Sequence, residues 1–190
     1  MSNRMRNNLA AALAALLLVS LAPPALAGNG LDAFVASLEG AWAARAVETP
    51  LGEMPFALLF ERRPDGSLSA HTPWDAETFV DVTFTRAGDG RWLLVEHARL
   101  PEAGEQQRIL VPAGLAGSTR RFVDAADPDV LAVDLAVAEE AMEITVWVNG
   151  RRHVHGTLRR LPEEEVPGLR AQLEQMGRRP HRPVAREENR

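Results

Sequence analysis

The chain has 190 residues and a formal charge of −5, with 26 acidic residues against 21 basic ones, every one of the latter an arginine. With no cysteine, it has no disulfides, thiolate nucleophiles or thiolate metal sites. The absence of lysine and tyrosine removes Schiff-base chemistry and a phenolic acid, and the acidic balance lacks the electrostatic footprint of a nucleic-acid binder.

Residues 1–27 have the form of an export signal. Arg4 and Arg6 make a basic start, Leu9–Leu21 an apolar run, and Ala25-Leu26-Ala27 a small-residue cleavage site behind Pro23-Pro24. The run is short for a membrane span, and no cysteine follows it to carry a lipid anchor. The expectation is cleavage after Ala27 and a periplasmic or secreted product with no stable membrane span. Losing the two arginines takes the formal charge from −5 to −7. Residues 28–162 then form one domain, and 163–190 a charged helix and disordered tail.

In Gly28–Glu39, Leu31, Phe34, Val35 and Leu38 recur at helical spacing, which predicts a short amphipathic helix of about two turns. Gly40-Ala41-Trp42 opens a strand-like stretch that runs to Thr49, and Pro50-Leu51-Gly52 is a turn. Met54–Arg62 places Phe56, Leu58 and Phe60 on one face, and Pro64-Asp65-Gly66 returns the chain as Ser67–Thr72. Pro73-Trp74-Asp75-Ala76 is a loop. Thr78–Arg86 turns Val80, Val82 and Phe84 inward, and Gly88-Asp89-Gly90 leads into Trp92–Arg99. Glu105–Val111 follows, then a Pro112–Gly117 loop, Thr119–Asp124, and an alternating Val130–Ala138.

Met142–Leu161 is the clearest hairpin. Met142, Ile144, Val146 and Val148 alternate with polar neighbours. A three-residue Val148-Asn149-Gly150 loop sets Ile144 opposite Val154 and Thr145 opposite His153. After Pro162, Leu169, Leu173 and Met176 mark a helix on the outside of the sheet, and Arg178–Arg190 reads as a disordered tail. Short strands at near-regular spacing define an all-β chain: an antiparallel up-and-down barrel of about eight to ten strands or, second, a sandwich.

The order of short helix, Gly40-Ala41-Trp42, meander strands and a last strand ending in Arg159-Arg160 resembles the lipocalin and fatty-acid-binding (calycin) superfamily over Leu38–Leu161. The resemblance implies that Trp42 closes one barrel end beneath a basic side chain of the last strand. The threonine-aspartate-tyrosine signature of many lipocalins is absent. His153–Arg160 is also similar to the last strand of nitrobindin-type haem barrels, which implies His153 as an axial ligand and haem as cofactor. The hairpin register instead places His153 and His155 with Glu143, Thr145 and Trp147, opposite the Val and Ile face, as exposed strand histidines.

His153, His155 and Glu143 are the candidate metal ligands, two imidazoles and a carboxylate across one hairpin. The His71–Glu77 loop combines an imidazole, an indole and carboxylates at a strand end. Glu96 and His97 fall on opposite strand faces, and either face could be the inner one. No nucleophile elbow, phosphate loop or metalloprotease helix occurs. The inward set Phe56, Leu58, Phe60, Val80, Val82, Phe84, Ile144 and Val146 would line an apolar cavity. Trp42, Phe56, Phe60, His71, Trp74 and Phe84 are the expected ligand contacts. The leading reading is a non-enzymatic exported protein that binds a small apolar or amphipathic ligand without a cofactor. A filled barrel docking on an envelope protein comes second, a haem barrel is a further alternative, and an enzyme follows because no catalytic constellation survives the geometry.

Overall fold

The computed structural model describes residues 29–100, 104–116 and 118–179. The predicted signal and most of the predicted tail lie outside these residues. Ten antiparallel strands close into a barrel of simple up-and-down order, each paired with its neighbour in sequence and β1 with β10. They are β1 (Gly40–Thr49), β2 (Gly52–Arg62), β3 (Leu68–Pro73), β4 (Phe79–Arg86), β5 (Trp92–Leu100), β6 (Gly104–Ala116), β7 (Thr119–Asp124), β8 (Leu131–Val137), β9 (Ala141–Val148) and β10 (Arg151–Arg160). Helix α1 (Asn29–Leu38) precedes them, and a 3₁₀ turn (Glu163–Glu165) and α2 (Val166–Gly177) follow. No helix among the described residues is long and apolar enough to cross a membrane.

The predicted alternation decides which side chains enter the barrel. Val80, Val82 and Phe84 of β4 pair with Ala98, Glu96 and Leu94 of β5, and the last two pair on with Arg108 and Leu110 of β6. Glu96 therefore faces inward and His97 outward.

Two stretches differ from expectation. The β9–β10 loop has two residues, not three: Asn149 and Gly150 both adopt positive φ, at 50° and 70°, the geometry of a tight turn whose twist suits the strands. The register is consequently Thr145 opposite His155 and Ile144 opposite Gly156, with a shift between Arg152 and Val154. That bulge absorbs one residue, so Val154 still points inward. The Pro112–Gly117 segment is not a loop but the second half of β6. It pairs with β7 through a shift between Pro112 and Gly114, which accommodates a residue with no N–H to give the ladder.

α1 plugs one end of the barrel. Phe34, Val35 and Leu38 are buried against the inner layer, and Phe34, Phe122 and Phe84 form a chain with ring centroids 6.3 and 5.5 Å apart. Asp32 in the first turn anchors the plug, accepting from the Trp92 indole at 2.5 Å and pairing with Arg86. Arg86 also lies over the Trp92 ring at 4.6 Å.

The expected Trp–Arg closure is present. The Arg160 guanidinium sits 4.1 Å from the centre of the Trp42 ring and donates at 2.7 Å to the carbonyls of Ser37 and Glu39. The Trp42 indole donates at 2.7 Å to the Leu38 carbonyl. These contacts satisfy carbonyls left open at the end of α1. Gly40 completes the motif: its φ is +115°, and a Cβ there would lie 3.0 Å from Arg160 Nη1. The Gly-x-Trp spacing thus has a local cause, a bare backbone for the guanidinium and, two residues on, a ring for it to cover.

α2 packs outside, as predicted. Leu169 and Leu173 form a small apolar cluster with Ala41 and Leu59 of the outer wall, and Met176 borders the same surface.

Candidate functional site

The barrel interior divides into two halves along its axis. At the α1 end most inward side chains are buried, including Trp42, Leu58, Phe60, Phe84, Leu94, Leu110, Phe122, Met142 and Leu158, with Val137 and Arg120 partly so. Toward the other end the inward residues Met54, Phe56, Val82, Glu96, Arg108, Val133, Val146 and Val154 are only partly buried. An inward side chain stays accessible only if space adjoins it, so this half is open. Of the expected ligand contacts, Trp42, Phe60 and Phe84 lie in the packed half, and Phe56 lines the open one.

The open half carries the ionisable groups. Asp124 is buried and fully engaged: it accepts from the backbone N–H groups of Ala126 and Asp127 and from Arg108 Nη1 at 3.1 Å. Burial raises its pKa, but those donors outweigh burial and hold the carboxyl below the usual aspartate range. Arg108 also donates to Gln106 Oε1 at 3.0 Å. Glu96 stands between Val82 and Arg108 on the neighbouring strands. Among the described residues it has no hydrogen bond or ion pair. Burial pushes its pKa up, partly opposed by the charge of Arg108 and reinforced by that of Asp124.

The rim of this half is apolar in places. Leu51 in the β1–β2 turn is 95% exposed, and Trp74 in the β3–β4 loop is 36% exposed. A groove of about 1310 Å³ lies between α2 and the outer wall of β1 and β2. Its lining reaches the inward-facing Ala44, Met54, Phe56 and Thr72, so groove and mouth meet at the rim.

The histidines lie elsewhere. His71 and His97 flank Asp81 on the outer wall: His71 Nδ1 bonds one carboxylate oxygen, and His97 Nδ1 lies 3.8 Å from the other. His97 Nε2 reaches Glu105 at 2.8 Å, and Arg99 binds Glu105 at 2.7 Å. Arg99 and then His97 hold the Glu105 carboxyl below the ordinary glutamate range. This exposed ladder fits its register, because His71, Asp81 and His97 sit opposite one another on β3, β4 and β5.

His155 pairs with Thr145 at 3.0 Å on the outer wall, and His153 is exposed at the bulge. Glu143 sits opposite Thr157 rather than beside them. No group of three metal-ligating side chains forms among the described residues. No described histidine faces the interior, so none of them could be axial to a haem held there.

Sequence reasoning left the orientation of Glu96 open and did not single out Arg108 and Asp124. Their signal was available only through pairing: three charged residues on three strands become one cluster once the β5–β6 and β6–β7 registers are set. Fold and site together define a closed ten-stranded antiparallel barrel with a plugged end and an accessible end. No family model, curated protein or solved structure matches the chain.

Proposed function

We propose that the chain is an exported binding protein that holds a small amphipathic ligand in the open half of its barrel. The observation that carries this reading is the contrast between the two halves, one with most inward side chains buried and one with a set of accessible inward side chains. Barrels of this kind are either filled by side chains or retain room for a ligand, and this one does each at a different end. The wall of the open half is largely apolar, with Phe56, Val82, Val133, Val146 and Val154, and a few polar groups converge on it. That is the usual composition of a small-molecule site. The exposed Leu51 and Trp74 at the rim suit an entry that apolar matter crosses. The signal-like form of residues 1–27 supports a place of work in the periplasm or outside the cell, with cleavage after Ala27.

The test is mass spectrometry of protein purified from its native host, once under native and once under denaturing conditions. A mass lost on denaturation identifies the cargo, and the denatured mass reports whether the chain starts at Gly28. Equal masses, together with no uptake of 1-octanol on titration, overturn the binding reading.

A further inference from the structure

The open half holds a carboxylate to which the described residues give no hydrogen bond or ion pair. Arg108 and Asp124 neutralise each other through their 3.1 Å ion pair, and Gln106 takes a further N–H of the guanidinium. Glu96 looks into the same space from β5 and is reached by no hydrogen bond or ion pair among the described residues. The inward neighbours from β2, β4, β8, β9 and β10 are apolar: Phe56, Val82, Val133, Val146 and Val154. This carboxylate lacks hydrogen-bond donors, and the one cation facing it, Arg108, is shared with Asp124, so the three groups together keep one net negative charge that a ligand supplying donors and positive charge would meet.

We propose that Glu96 is the polar anchor of the cavity and that it selects an amphipathic cation, an ammonium group on an apolar body. The ammonium supplies donors and positive charge to Glu96, while the apolar body lies along the valine and phenylalanine wall. A carboxylate-bearing amphiphile meets the opposite situation. The cationic group that could receive it, Arg108, is already engaged by Asp124, and Glu96 repels it. This inference rests on the binding cavity proposed above and names what that cavity prefers.

The experiment compares octylammonium, 1-octanol and octanoate by calorimetric titration at neutral pH, against the wild-type chain and Glu96→Gln. The three share one apolar body and differ only in the head group. Octylammonium is expected to bind tightest and octanoate weakest. Glu96→Gln removes the charge at nearly constant shape. It should weaken octylammonium by on the order of ten- to a hundredfold, the size of a charge-assisted contact. Octanol should be unaffected by the substitution, which also shows that the variant is folded and its cavity intact. Octanol binding with no preference for octylammonium, or an octylammonium affinity unchanged in Glu96→Gln, overturns the role of Glu96 and leaves the cavity standing. Failure of all three amphiphiles to bind the wild-type chain overturns both.

Discussion

Removing Arg160 tests how the barrel is closed. Its guanidinium joins three parts of the chain: the end of α1 through the Ser37 and Glu39 carbonyls, the β8–β9 turn through the Glu139 carbonyl at 3.2 Å, and the first strand through Trp42. Arg160→Ala leaves the two carbonyls bonded at 2.7 Å without these donors. With about 1 kcal/mol net for each short bond and about 1 kcal/mol for the stacked cation, the substitution should cost about 3 kcal/mol. For a domain of this size that corresponds to a fall in Tm of roughly 6–12 °C. Thermal and urea unfolding give the number, with Arg151→Ala as the control because Arg151 is exposed at the opposite end of β10. Arg160→Lys keeps the charge but not the fork that spans both carbonyls, so it should recover less than half of the loss. In Trp42→Phe the indole N–H is also gone, and a double-mutant cycle with Arg160→Ala should show coupling of about 0.5–1 kcal/mol. If Arg160→Ala costs no more than the control, the helix end is held by something else and the closure described here is wrong.

The wall offers a steric counterpart at Gly156, where an added Cβ would lie 2.6 Å from Val47 Cγ1 and 3.2 Å from Val47 Cα. Gly156→Ala should therefore lower stability by about 1–3 kcal/mol, with partial recovery in combination with Val47→Ala, measured by chemical denaturation. Burial raises the Glu96 pKa in the folded chain, so between the ordinary glutamate value and that raised value the folded state binds more protons than the unfolded one. The stability contributed by this group is lost as pH rises through that window. Arg108 and Asp124 are the charged groups that face it. Glu96→Gln should thus melt with the wild type near about pH 4 and above it near about pH 7; identical melting at both pH values would refute an inward Glu96. Leu173→Ala should loosen α2 at a cost of about 2 kcal/mol while the barrel persists, seen as hydrogen exchange confined to residues 166–177.

Much of this architecture was legible because strand alternation is a local signal. Phe56, Leu58 and Phe60, and Val80, Val82 and Phe84, declare one inner face in their own segments, and the structure places them there. The closing hairpin was legible in outline but not in register, because Asn149-Gly150 supports either a two- or a three-residue loop. The choice is compensated by a bulge at His153 that the segment itself does not announce. β6 was cut short because Pro112 and Gly114 read as breakers, whereas a shift in pairing with β7 carries the strand past them. The polar cluster was hidden for a different reason. On β5, Trp92 and Leu94 are as apolar as Leu93 and Val95, so the strand does not reveal whether Glu96 or His97 faces inward. The answer comes from pairing with β4, whose pattern is unambiguous.

The division of the barrel explains how a carboxylate without a hydrogen bond can persist inside it. The packed half, the α1 plug and the Trp42–Arg160 closure supply burial and hydrogen bonding that do not depend on the other end. A group such as Glu96 in the packed half would have to be desolvated completely, at a cost of several kcal/mol, and selection for folding alone would replace it. In the open half water still reaches the inner wall, so the cost is reduced while the charge is kept in a confined, mostly apolar space. There a charge is weakly screened, and a complementary ligand gains more from it than it would at the outer surface. Asp124 makes the contrast within the same cluster: also a carboxyl group and more deeply buried, it is satisfied by two backbone donors and Arg108. Asp124 is therefore built into the fold, whereas Glu96 is left for something the fold does not supply.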